Sequence, residues 1–428
     1  MTLIRLVSVR LILWFFILIL LPLPFIVLLL TELSMQFSST LFGIIAGLVG
    51  YIWMLLSMYL STRPHWLDRL IGLPEVYMMH GLVALVAILS AWIHKMLVHS
   101  GGMISLTGDV GLYIFSGVLA YSLVMMAGWI TRKIVFLQAM KQYFSRFINH
   151  EWSVWLHRLN VVGVVVIFFH VQLIGYISRL NGFMDLFDGF SFIVIGYYFF
   201  YKWIQPHLDI SAQLISRTEI GDNIQELTVQ LPPKYRWHAG DWLFIRFPHY
   251  KELREAHPFS IVNLPDETGR LKLAIRGDGD FTRYLKTLSP EIEGIHVKLT
   301  RPFGQYHQFL KQHHEDQPLI IVAGGIGITP FISIAQMAVE RQQPVTFLYS
   351  TKHEKDAIYL DELTKFNQSD IYFKHQVGRF SDTQIVDMMQ KNGIYLLAGP
   401  HAMTKYWRNF LKNRGVADSS IYFEPFEW

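Results

Sequence analysis

Six stretches in the first 204 residues carry almost no charge, and they constrain the fold more than any other feature of the chain. Residues 11–30, 41–60 and 110–130 have none. Residues 76–93 are apolar apart from His80, and residues 159–178 apart from His170. Residues 189–201 are shorter and aromatic. An α-helix rises about 1.5 Å per residue, so roughly 20 apolar residues cross a bilayer. The pattern predicts six transmembrane helices between residues 11 and 204, the first kinked by Pro22 and Pro24. The first stretch exceeds a signal-peptide core and no small-residue cleavage site follows it, so it is expected to stay attached. Over the whole chain 52% of residues are hydrophobic and 16% charged, against about 25% charged in soluble domains.

Basic residues orient the bundle. Arg5 and Arg10, Arg63 and Arg69, and Arg132, Lys133, Lys141 and Arg146 alternate with loops offering only Lys95 and Arg179. Both termini are expected in the cytoplasm, with the third and fifth helices running parallel. The chain has no cysteine, which excludes disulfides, thiolate zinc sites, all-cysteine iron–sulfur clusters and cysteine nucleophiles. The net charge of +4 is no nucleic-acid signature.

Within the apolar stretches histidine stands out, because ionisable groups in spans are costly and usually functional. The third helix carries His80 and His94, and the fifth His157 and His170. Fourteen residues are about 21 Å of helix and return within about 40° of the same face, the separation two stacked haems need. Parallel helices pair His80 with His157 and His94 with His170, each pair clamping one haem iron through imidazole nitrogens. The second spacing is 13 residues, which leaves side chains about 140° apart on an ideal helix. A helix bend, a π-bulge or different haem angles have to absorb that.

After Pro206 the composition becomes that of a soluble protein. Residues 224–231, 242–247, 259–264 and 271–276 read as strands of an antiparallel barrel. From residue 319 strands (319–323, 345–350, 372–377, 395–397) alternate with helical stretches, the pattern of an α/β parallel sheet. His257-Pro258-Phe259-Ser260 opens a candidate flavin site, with an aromatic ring and a hydroxyl of the types an isoalloxazine needs. Arg276 leads through Gly277 and Gly279 to Thr282 and Arg283. Glycines admit a phosphate to the backbone, a helix start offers free N–H groups, and the arginines add charge. Gly324-Gly325-Ile326-Gly327-Ile328-Thr329-Pro330 follows an apolar strand and precedes a helix, the context of a nucleotide pyrophosphate loop. Ala398-Gly399-Pro400 is a further turn. The aromatic tail ending in Trp428 packs on the last domain or covers a flavin ring.

Taken together, the histidine spacings, the HPFS and GGIGITP motifs and their order resemble the NADPH oxidase and ferric reductase superfamily, in a prokaryotic form. The resemblance implies a six-helix di-haem domain (1–207), an antiparallel β-barrel FAD-binding domain (208–315) and an α/β NAD(P)H-binding domain (316–428). It implies that His80, His94, His157 and His170 ligate two haem b groups. His257, Pro258, Phe259 and Ser260 would bind FAD, with Gly279 and Thr282 near its pyrophosphate. Gly324, Gly325, Gly327, Thr329 and Pro330 would hold NADPH or NADH, with Gly399 and Pro400 beside the nicotinamide. Trp428 would stand over the flavin, with Phe259 and Ser260 at its reacting edge. Two departures stand out: Ala398 replaces the family's usual cysteine, and no arginine lies between Arg10 and Arg63 to match the one beside the outer haem of animal oxidases, while His99 lies five residues beyond His94. The expected path runs from cytoplasmic NAD(P)H through FAD and two haems to an acceptor outside a bacterial-type inner membrane. That acceptor is oxygen, with a ferric chelate, a periplasmic protein or a quinone as alternatives. A nucleotide-sensing membrane receptor or transporter is the reading from another class. Spans without acidic residues argue against a proton relay in it.

Overall fold

The computed structural model describes residues 3–125, 134–144, 150–288, 294–366 and 371–424. Arg132, Lys133, Arg146 and Trp428, invoked above, lie outside the described residues, as do residues 126–130 of the expected fourth span. Two compact units divide the chain, one of them a helical bundle (Val9–Pro64 and Glu75–Ile204) and the other made of His65–Pro74 and residues 205–424 together with residues 3–8.

Six helical segments of the described residues are long and apolar enough to cross a membrane: Ile12–Glu32, Leu41–Leu60, Leu73–Leu97, Gly102–Met125, Trp152–Gln172 and Asn181–Leu208. The first is two helices, Leu3–Leu20 and Leu23–Glu32, parted at Leu21 and Pro22. Proline is tolerated only in a helix's first turn, so the chain restarts there. Leu41–Leu60 is the central span. Two thirds of its apolar window is buried, against a third or less in the others. Glycines let helices approach closely: a Cβ at Gly50 would stand 3.0 Å from the Ala87 carbonyl, and one at Gly163 2.6 Å from the Phe115 ring.

The helices extend beyond the uncharged stretches, which corrects the expectation that spans lack acidic residues. Gly102–Met125 includes Asp109, and Asn181–Phe199 includes Asp185 and Asp188. Two of these charges have partners that make them tolerable: Lys95 Nζ lies 2.6 Å from Asp109, and the Gln172 amide donates to Asp188 at 2.6 Å. The fifth span is interrupted by a turn at Arg158, between His150–His157 and Leu159–Gln172. There Arg158 N–H donates to Val154 and Trp155, and Val161 N–H to Arg158. The bonds to Trp155 and from Val161 reach three residues back. Such bonds tighten the winding by about 20° per residue, in the direction that the 13-residue spacing requires.

In the other unit, β1 (Ile210–Gly221), β2 (Ile224–Gln230), β3 (Trp242–Arg246), β4 (His257–Ser260), β5 (Arg270–Arg276) and β6 (Ile295–Leu299) form an antiparallel sheet in the order β4-β3-β6-β1-β2-β5. An Ile261–Leu273 bridge and the Val262 N–H to Lys272 bond draw its ends together. Inward Leu214, Leu227, Val229, Leu243, Ile245, Leu273 and Val297 fill it. The expected strand over 259–264 runs instead over His257–Ser260, because Asn263 spends its side chain on the Arg270 carbonyl and the Lys272 N–H, a turn. β1 and β6 were not expected. Register shifts in β1 after Leu214 and Glu219 break the alternation that marks a strand.

β7 (Leu319–Gly324), β8 (Val345–Thr351), β9 (Ile371–Val377), β10 (Ile394–Ala398) and β11 (Ile421–Tyr422) form a parallel sheet in the order β11-β10-β7-β8-β9. β7 is buried along its whole length, as parallel strands covered on both faces must be.

The short helix His65–Ile71 belongs to this second unit. Arg69 makes a two-pronged bond to Asp241 (3.1 and 3.2 Å) and donates to the carbonyls of Gly304 and Pro302. Beside it Gln305 donates its side chain to the Asp68 carbonyl and its N–H to Glu424. Burial pushes the Asp68 carboxyl up to about 6 and that of Glu424 up to about 8.

Candidate cofactor sites

The four histidines form two pairs. The rings of His80 and His157 are 5.8 Å apart between centroids, and those of His94 and His170 6.3 Å. Two imidazoles on opposite sides of one metal, each about 2 Å from it, have ring centroids roughly 6 Å apart. The outward-facing nitrogens are spoken for. Nδ1 of His80 donates to the Ser57 carbonyl (2.8 Å), that of His94 to Gly43 (2.8 Å) and that of His170 to Ile104 (2.9 Å). Nδ1 of His157 lies 3.0 Å from the Ser122 hydroxyl. A carbonyl accepts only, so Nδ1 carries the proton and Nε2 keeps its lone pair. Metal-binding histidines are held and tuned in this way. The residues therefore fit a bis-imidazole metal group.

Two glycines that sequence reading missed make room for the rings. A Cβ at Gly47 would stand 2.7 Å from His94 Nδ1, and one at Gly108 3.0 Å from His170 Cε1. The carbonyl acceptors leave no trace in residue type, so no pattern could have found them. Among the described residues no group of three or more histidine and acidic side chains is placed to hold a bare metal ion.

In the barrel, His257–Ser260 is β4, paired to β3 with Trp242 opposite Ser260 and Ile245 opposite His257. It ends the sheet order, so among the described residues its outer edge has no strand partner over these four residues and its main chain is available to a ligand. All four residues are half-buried, and the Phe281 ring lies tilted against His257 (4.2 Å between rings) and nears Phe259 (6.0 Å). Gly279 caps the helix Asp280–Leu285, with its N–H donating to the Thr282 hydroxyl at 2.9 Å. The charge expected from two arginines is offset, since Arg276 pairs with Asp278 (2.6 Å) and Arg283 with Asp280.

The glycine loop leaves the C-terminal end of β7, turns through Gly325–Ile328 and enters the helix Thr329–Glu340 with Pro330 in its first turn. β8 lies on one side of β7 and β10 on the other, so the loop sits at the point where the strand order reverses. Open α/β sheets bind ligands at that point. The turn Ala398-Gly399-Pro400, weak in isolation, is brought against it. A Cβ at Gly327 would stand 2.6 Å from Gly399 N and 2.7 Å from the Ala398 carbonyl carbon. Gly324 and Gly399 are likewise closed off by Met403, and Gly325 has φ +54, where side chains are strained. The Arg276 guanidinium lies 3.8 Å from the Cβ position of Gly325, so the glycine loops of barrel and parallel sheet are neighbours.

Residues 210–327 match the FAD-binding domain family, and residues 321–409 the oxidoreductase NAD-binding domain family. Ferric reduction oxidase 4 of Arabidopsis thaliana is 26% identical over 232 residues, 52% of this chain and 31% of that protein. Dual oxidase 2 of Rattus norvegicus is 28% identical over 153 residues, 32% of this chain and 10% of that protein. The chain thus carries an FAD-binding and an NAD-binding domain and is similar over them to ferric reduction oxidases and dual oxidases. It shares the module more widely: the toluate 1,2-dioxygenase electron transfer component of Pseudomonas putida is 25% identical over 203 residues, 44% of this chain and 58% of that protein. In each case the match spans less than two thirds of the relative. Both domain matches lie beyond residue 209, so the histidine pairs stand on their own geometry.

Proposed function

We propose that the chain is a transmembrane oxidoreductase that takes electrons from cytoplasmic NAD(P)H and delivers them, through FAD and two haem b groups, to an acceptor on the other side of the membrane. The observation that carries this reading is the pairing of four histidines with Nδ1 engaged and Nε2 free, in a chain that also has FAD- and NAD-binding domains. When bound, the flavin supplies the step from two-electron hydride chemistry to single electrons, and haem iron supplies one-electron relay.

In this reading His80 and His157 hold the inner haem, and His94 and His170 the outer. The Ser57, Gly43 and Ile104 carbonyls fix the tautomers of His80, His94 and His170. Ser260 would offer a hydroxyl to the flavin N5, and Phe259 an aromatic ring to its reacting edge. Gly324, Gly325 and Gly327 let the dinucleotide's pyrophosphate reach main-chain N–H groups at the start of Thr329–Glu340, while Gly399 and Pro400 wall the nicotinamide. Ala398 removes a thiol that hydride transfer does not need. Oxygen is the acceptor favoured here, giving superoxide. A ferric chelate is the second reading, motivated by the Arabidopsis relative's name.

Dithionite-reduced against oxidised spectra of the purified protein test the haems, and absence of a b-type band at two per chain sinks the proposal. In His94→Ala the spectrum should halve and acceptor reduction stop, while NAD(P)H still bleaches the flavin. Rates measured with dismutase and with ferric citrate in one preparation decide the acceptor.

A further inference from the structure

The unit that contains the barrel has a cavity of about 520 Å³ whose lining is basic: Lys234, Arg236 and Arg301 surround it, and His65 and Arg69 form part of its wall. No acidic side chain lines it. Arg69 is committed to Asp241 and two carbonyls. Arg236 uses one guanidinium nitrogen on the carbonyls of Pro233 and Tyr235. Lys234 and Arg301 have no ion pair among the described residues. Two cations and most of a third thus converge on a concave space with nothing to neutralise them, an arrangement suited to an anion with several oxygens. None of the residues assigned to the flavin or the dinucleotide lines the cavity.

Chain connectivity limits where this cavity can be. Ile210, also in its lining, is two residues past Leu208, the end of the sixth candidate span, and His65 is five past Leu60, the end of the second. At about 3.4 Å per residue neither is further than roughly 17 Å from a membrane exit. We propose that the cavity binds the phosphate of an anionic membrane phospholipid head group. His65 forms part of the cavity wall. Its ring stacks on Phe303 (4.1 Å), and burial, with Arg69 and Arg301 beside it, holds its imidazole down to about 4. It is therefore neutral at ordinary pH, and a bound phosphate would offset the two arginines and raise it.

The test uses the full chain in phosphatidylcholine nanodiscs. Dioctanoyl phosphatidic acid, dioctanoyl phosphatidylcholine and inorganic phosphate are titrated, with binding read from tryptophan fluorescence. Phosphatidic acid should saturate one site per chain, at least tenfold tighter than the other two. Each cation removed should weaken it roughly fivefold, so Lys234→Gln with Arg301→Gln should lose about 25-fold and Arg301→Lys little. Both side chains are at the surface, so melting should be unchanged. If the double variant does not fold, Arg301→Gln alone carries the fivefold prediction. Equal binding by wild type and variant overturns the site. Inorganic phosphate binding as tightly as the lipid overturns the membrane source.

Discussion

The bundle and the nucleotide-binding module prepare for their cofactors by opposite means. In the bundle, on the proposed reading, side chains would do the holding and the main chain holds the side chains: three of four imidazoles are fixed by backbone carbonyls. In the module the main chain would be the binding surface, and what matters is which side chains are missing, at Gly324, Gly325, Gly327 and Gly399. A substitution in the module therefore acts by adding atoms, and one in the bundle by removing or displacing a ring.

The largest effect is expected from Gly327→Ala. Its Cβ meets backbone on the facing turn at 2.6 Å, and backbone cannot swing aside. About 1–3 kcal/mol of overpacking strain and loss of measurable NAD(P)H binding should follow, with the haem spectrum intact. Next, Gly47→Ala pushes a methyl to 2.7 Å from His94 Nδ1 and breaks the Gly43 bond. It should weaken retention of the outer haem by about 10- to 100-fold and leave the flavin untouched. If Gly47→Ala instead left both haems and lowered nucleotide affinity, the comparison would fail.

A finer contrast lies within the bundle. His157 alone relies on a side chain, Ser122, so Ser122→Ala should cost about tenfold in inner-haem affinity. Ser57→Ala should cost far less, because His80 keeps the Ser57 carbonyl at 2.8 Å. Equal losses would show that hydroxyls, not carbonyls, set the tautomers.

A last effect, on stability and not on any cofactor, is a change in pH dependence. Glu424 is buried, with Asp68 and Asp241 adding repulsion and Gln305 N–H and Tyr422 as donors. Its folded pKa of about 8 stands above its ordinary 4.5, so folding favours the neutral acid. That stability is full below pH 4.5 and lost as pH rises through 8. Glu424→Gln should flatten the thermal midpoint across this window, and an unchanged slope would assign it elsewhere.

Much of this was legible in the sequence for a physical reason. Burial in lipid and in a two-sided sheet both write themselves as uninterrupted apolar runs, so the spans and β7 were visible. GGIGITP was visible because glycine is a statement about the backbone. What escaped reading depends on groups with no residue signature or on distance along the chain. The acceptors at Gly43 and Ile104 are carbonyls that every residue has. Arg69 and Asp241 meet across 172 positions, and the helix His65–Ile71 reads as a loop between spans. β1 hid behind its bulges. Trp428, read as a flavin cover, falls outside the described residues.

The second span has a consequence for how this chain can vary. Its acceptors, Gly43 and Ser57, are 14 positions apart, the same interval as the ligands they hold, His94 and His80. Two antiparallel helices thus mesh like racks of equal pitch. No point substitution can delete either carbonyl, but a single-residue deletion between 43 and 57 would put one of them out of step. The register of this helix thus rests on its count of residues, separately from the side-chain room that Gly47 and Gly50 provide.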